Sequence, residues 1–334
     1  MKKVQIIFLL LFSFQSTSYS QKSENLDPNL VSVKKWFAAW ELVSKDILKI
    51  ETRQSVEFVF FDKEYVYSTS NSTIPKGEII IGPSFLKKKL IWKKALHEGK
   101  ITLPDNQIVP IGMMAFASSF GDKNAFFIMP LPKFWQAMGI ESKELGLENL
   151  ITGVFLHEFA HTQQMQNFGK QISFYEKQYK FDVDLSDDII QDYFKKDSVY
   201  VAGFKKEVAF FYDVATSGQN INKALEEFKN RQSQYFKGDR VHLKELDNFF
   251  LTMEGLGQYL MYVWFTHPKG ANVAKEVALK GTRRGGKYWS QEEGLALFLV
   301  LEQFAKPHQW AKKMFGREVI TVLEVIEKEV KEKR

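Results

Sequence analysis

One helical turn constrains this chain more than any other feature. His157 and His161 stand four residues apart, at the end of an apolar stripe made by Leu147, Leu150, Ile151, Val154 and Phe155. Positions i and i+4 of an α-helix project from one face, so the two imidazoles are presented side by side. At that separation both can reach one divalent metal at about 2.0–2.1 Å. Glu158 is placed beside the first of them, where a carboxylate can act on a water held by the metal. Phe159 and Ala160 between the histidines are apolar, as burial of this turn requires. The bland alternative is a pair of satisfied histidines on an ordinary helix.

The pattern changes character on either side of this turn. After a polar leader at 22–30, residues 31–50 carry Trp36, Phe37, Trp40, Val43, Ile47 and Leu48 at helical spacing. Strands are then expected at 56–61 and 79–83. A β-hairpin is expected from 111–120 and 125–130, joined by Gly121-Asp122-Lys123-Asn124. From about residue 145 the chain reads as helix, with further helices around 186–215, 220–236, 245–265, 291–304 and 309–330. The tail Glu318–Arg334 alternates Lys and Glu around Val, Ile and Leu, as an amphipathic surface helix does. The expected class is α+β: a strand-rich part at about 50–135 and a helical part at about 145–330, with a cleft between them. No internal repeat interrupts residues 21–334, which read as one domain.

Composition narrows the chemistry. The chain of 334 residues has no Cys, so metal ligands must be His and carboxylate. Its 30 Phe supply a sizeable core. The formal net charge is +6, and Lys87, Lys88, Lys89, Lys93 and Lys94 form a basic cluster. With no binding motif beside them, they read as a solvated helix face, and no nucleic-acid partner is expected. Residues 1–20 combine Lys2 and Lys3, an apolar run from Val4 to Phe12, and Ser18-Tyr19-Ser20. This is the pattern of a cleaved signal peptide. It predicts export to the periplasm or beyond, with no stable membrane insertion after cleavage.

The segment His157-Glu158-Phe159-Ala160-His161-Thr162-Gln163-Gln164 resembles the metal helix of the zincin metallopeptidases. The residues after His161 do not continue as the metzincin extension, so the resemblance lies with the gluzincins, the thermolysin-like branch. That resemblance implies one Zn²⁺ per chain, Glu158 as general base, and a Glu from a later helix as third ligand. Glu254, in Met253-Glu254-Gly255-Leu256-Gly257-Gln258-Tyr259, is similar to the gluzincin third-ligand segment. Glu293 and Glu207 compete with it. The resemblance also implies a donor for the developing oxyanion, for which Tyr259 is the main candidate and Tyr262 and Tyr288 are others. His267, Arg283 and Arg284 are further candidates to line a cleft, or else surface residues. The hairpin at 111–130 is a candidate edge for holding an extended peptide, or else an internal hairpin. The expected function is a zinc-dependent peptidase acting on peptide or protein. Alternatives are a zinc hydrolase of a non-peptide amide or ester, and a metal-binding protein without turnover. The intact Glu158 argues against the last.

Overall fold

The computed structural model describes residues 26–121 and 123–333. The expected signal peptide lies outside them. The α+β class is confirmed, with strands in the first half and helices dominating the second.

Six strands form one sheet: β1 Ser55–Phe61, β2 Tyr65–Ser68, β3 Glu78–Ile80, β4 Trp92–Leu96, β7 Phe116–Phe120 and β8 Asn124–Pro130. A separate pair is made by β5 Lys100–Thr102 and β6 Ile108–Pro110. The sheet order is β3-β4-β2-β1-β8-β7, with β1 and β8 parallel and the other neighbours antiparallel. The alternation along β1 explains its central place. Phe58 and Phe60 point to one core, Val59 and Phe61 to another, and all four are fully buried. A strand with both faces apolar belongs inside a sheet covered on both sides. Phe134, on the short helix α2 Pro132–Ala137, helps cover one side.

The other side carries α1 Val31–Leu42 and α3 Leu147–Gln164. Trp40 meets Phe159 at 4.8 Å between ring centroids, Phe127 meets Phe155 at 5.3 Å, and Phe58 stacks on Phe159 at 5.8 Å. The stripe of α3 is thereby pinned to the sheet. Its opposite side packs on α8 Leu243–Thr266, a core helix buried through most of its length. Beyond α8 lies α10 Trp289–Phe304. The remaining helices are α4 Lys170–Gln178, α5 Ile189–Phe194, α6 Ser198–Ser217, α7 Ile221–Tyr235, α9 Lys275–Thr282, α11 Pro307–Met314 and α12 Val322–Glu332.

Several boundaries depart from expectation. The hairpin forms, but its first strand begins at Phe116 and not at 111, because Pro110 closes the β5–β6 pair and Gly112 follows. The basic cluster does not lie on a helix: Lys93 and Lys94 belong to β4, and Phe85 and Lys88 pair across a tight turn. The helix expected over 186–215 is two, because Asp197 accepts from the backbone N–H groups of Val199 and Tyr200 and so starts α6 afresh. The helix expected over 309–330 also breaks. Thr321 and Glu324 form a capping box that restarts it as α12. That helix is more deeply set than a surface helix, with Val322, Leu323, Val325, Ile326 and Val330 buried. No described helix is long and apolar enough to cross a membrane.

Candidate metal centre

The glycines of α8 and α10 set the distances between the three inner helices. A Cβ on Gly257 would stand 2.5 Å from His157 Nδ1, so the histidine ring lies flat against the α8 backbone. A Cβ on Gly255 would stand 2.4 Å from the Gly294 carbonyl carbon, so α8 and α10 touch backbone to backbone. On the far side of this contact, Gly153 of α3 admits the ring of Phe265 and the methyl of Met261. Glycine at these positions removes the side chains that would hold the helices apart.

The close approach places Glu254 between the two histidines. His157 Nε2 lies 3.0 Å from Glu254 Oε2, and His161 Nε2 lies 3.2 Å from Oε1. One ligand atom from each of the three residues lies within 4.8 Å of the others, and all three side chains are buried. This group could hold a metal ion. Its donors fit one: His161 Nε2 is buried near the carboxylate without a well-formed hydrogen bond, and the set is the two-imidazole, one-carboxylate type used by zinc. His161 Nδ1 meets Gln164 Oε1 at 3.2 Å. An amide oxygen accepts only, so this contact keeps a hydrogen on Nδ1 and makes Nε2 the nitrogen that would ligate a metal once its own proton is lost.

Electrostatics couple the four groups. Burial works against a charge on His161, but the Glu254 carboxylate outweighs it and pushes the pKa up to about 9. Burial opposes ionisation of Glu254, yet His161 and the His157 contact hold its carboxyl well below the usual range. Burial lowers the pKa of His157 despite Glu254. Without metal, the pair His161–Glu254 therefore carries the ion pair and His157 is neutral. Glu158 is half-buried, and burial, with Glu254 and Asp187 adding to it, pushes it up to about 8. Asp187, just before α5, is pushed up to about 6 by burial and by the Glu254 carboxylate. Carboxyls crowded this way favour a cation among them.

Of the three competing glutamates, Glu254 alone joins the histidines. Glu207 and Glu293 meet elsewhere, around the buried Arg231 of α7. Arg231 Nε donates to Glu207 Oε1 at 2.6 Å, Nη1 to Tyr200 Oη at 2.6 Å and to Asp247 Oδ2 at 3.4 Å, and Nη2 to both oxygens of Glu293 at 3.4 Å. Tyr259 is not brought to the histidines. Its ring is fully buried, stacked on Phe298 and packed against Trp310. Five residues past Glu254, it lies about 140° around α8, which turns it to the core. Its assignment as the oxyanion donor is therefore withdrawn. His267 receives the backbone N–H of Lys269 at the end of α8. Arg283 binds the buried Glu292, with Nε to Oε1 at 2.7 Å. Arg284 reaches inward to Gln291, and Gln291 Nε2 donates to Glu254 Oε2 at 3.1 Å.

Sequence reasoning missed Gln164, Gln291 and Asp187. Gln164 had a usable signal, since it follows His161 by three and shares its helix face. Gln291 and Asp187 had none, because tertiary packing alone brings them near. Comparison with protein-family models, with curated proteins and with solved structures finds no match.

Proposed function

We propose that this chain is an exported zinc-dependent hydrolase of the gluzincin kind, acting on peptide bonds. One observation carries the reading. Two histidine Nε2 atoms from one helical turn converge on both oxygens of a glutamate from another helix, with an uncommitted Glu158 alongside. His157, His161 and Glu254 would hold the ion. Zinc bound there supplies Lewis acidity, acidifying a water and polarising a carbonyl. Glu158 takes a proton from the water as its oxygen bonds to the carbonyl carbon. When the C–N bond breaks, Glu158 returns that proton to the departing nitrogen and ends ionised as it began. Burial alone favours the protonated form of Glu158, and a cation between the histidines acts in the opposite direction. The hairpin supports a peptide substrate. β7 is the sheet's terminal strand, lies against α3, and pairs on its outer edge with no other strand among the described residues. An extended chain can add to such an edge through its backbone alone.

The test compares wild type with Glu158→Gln on a broad peptide pool, together with metal analysis. One zinc per chain is expected in both, with hydrolysis reduced on the order of 10²–10⁴-fold in the variant. Equal activity in the two proteins would sink the mechanism. Absence of zinc from wild type reconstituted with the metal would sink the centre itself.

A further inference from the structure

Gln291 stands on the first turn of α10, and its amide meets three groups, the third being the Gln258 amide of α8, which lies 2.5 Å from Oε1. Nε2 donates to Glu254 Oε2 at 3.1 Å, and Oε1 accepts from Arg284 Nε at 3.0 Å. Glu254 and Arg284 favour this direction of the amide, and Gln258 must then turn its NH2 towards Oε1. A carboxylate only accepts and a guanidinium only donates, so a reversed amide would set oxygen against oxygen and nitrogen against nitrogen. Arg284 is itself anchored. Its backbone N–H donates to Glu292 Oε2 at 2.6 Å, and the N–H of Gly285 reaches the same oxygen at 3.0 Å. Glu292, buried on the same turn of α10, thus ties down the loop that carries Arg284. Polar contacts of this number are not needed to close a core between helices. They form a chain from Glu292 through Arg284 and Gln291 that ends on Glu254 Oε2.

We propose that Gln291, braced by Arg284, is a positioning residue for the metal centre. Its amide occupies one lone-pair direction of Glu254 Oε2, and so fixes the rotation of the carboxylate with its remaining lone pairs facing His157 and His161. Without that donor the carboxylate is free to turn about its last bond, and the three ligands no longer converge. The Arg284 charge, one amide away, strengthens the Gln291 dipole towards Glu254 and opposes rotation of the glutamine. This inference rests on the metal reading above and adds to it a specific residue outside the ligand set.

The test is zinc affinity, measured on the metal-free chain by competition with a chromophoric chelator. Removal of a group that orients a ligand weakens metal binding by about 10–100-fold, and that loss is expected for Gln291→Leu. The discriminating measurement repeats the substitution in a Glu254→Gln background, with zinc titrated to the millimolar range. If Gln291 acts through the carboxylate, its loss there changes affinity by less than about 3-fold, because interacting residues are non-additive. An equal loss in both backgrounds would mean that Gln291 serves the fold in general, and would overturn the proposal. Arg284→Met, at a half-buried position, keeps the test open if Gln291→Leu fails to fold. It should weaken zinc binding less than loss of Gln291 itself, and unchanged affinity would overturn the brace. Wild type that takes up no zinc defeats the metal reading, whereas equal zinc binding by wild type and Gln291→Leu defeats the positioning role alone.

Discussion

Arg231 holds three buried carboxyls with one charge. If Glu207, Asp247 and Glu293 were all ionised, the cluster would carry two uncompensated negative charges away from water. Burial is the first cause that pushes both Asp247 and Glu293 above their ordinary values, against the pull of Arg231. A carboxyl raised in this way keeps its proton in the folded chain at a pH where the unfolded chain has released it. It therefore contributes stability that is full in acid and declines as pH climbs from the ordinary carboxylate range towards the folded value. Glu293→Gln should flatten that decline, seen as a melting temperature that changes less between pH 5 and pH 8 than in wild type; an unaltered slope would reject the assignment. Arg231→Met is the harsher change. It strands the carboxyls and should cost about 3–5 kcal/mol in chemical denaturation. At this scale the sequence was informative for the histidines, because helical spacing alone dictates their shared face. It ranked Glu254 above Glu207 and Glu293 on its small neighbours and on Tyr259; of these, Gly257 admits α8 to the histidine ring, Gly255 admits α10, and Tyr259 faces the core. Nothing in the spacing of Arg231, Glu207 and Glu293 announces that they meet, since three separate helices must pack first.

Helix contact governs the next scale, and two glycines two residues apart on α8 have different jobs. Gly257 faces His157, and Gly255 faces the backbone of α10. Gly257→Ala drives a methyl into an imidazole that has no room behind it. Zinc affinity should fall with a smaller effect on the melting of the metal-free chain. Gly255→Ala meets backbone, which does not yield as a side chain does. It should destabilise the fold by about 1–3 kcal/mol or more. The two are separated by a zinc titration and a denaturant curve run on both variants, and identical profiles would contradict the division. Long elements with a strong period were legible, among them α3, α8, α10 and β1. The breaks were not. Asp197 and the Thr321–Glu324 box end one helix and begin another by satisfying free backbone N–H groups. An apolar period that continues across the break conceals them. β2 and β4 escaped notice because Tyr65-Val66-Tyr67-Ser68 and Trp92-Lys93-Lys94-Ala95-Leu96 are short and show no clear alternation of apolar and polar residues.

For the whole molecule, metal and fold are linked through mass action. On the proposed reading, zinc at a hundred times its dissociation constant would add about 2.7 kcal/mol to the folded state, which should appear as a higher melting temperature that chelator reverses. The link also depends on pH. His161 holds a proton up to about pH 9 in the metal-free chain, and the ion must displace it. Affinity should then rise at least about tenfold per pH unit between pH 7 and pH 9, with the Glu158 proton steepening the rise below about pH 8; an affinity flat over that range would show that His161 is not protonated. The sheet order lay beyond sequence reading, because the parallel pairing of β1 with β8 joins segments more than sixty residues apart that carry no mark of each other.

The ligand atoms already lie within 4.8 Å of one another with an ion pair among them. In small zinc domains the metal organises a chain that is otherwise unfolded. Here the aromatic sheet core and the glycine contacts hold the helices together, and Glu254 keeps a proton on His161. Metal uptake at these ligands would exchange a proton for the ion. On the proposed reading, zinc would be loaded after folding, and the supply of the metal would set how much of the folded chain is occupied.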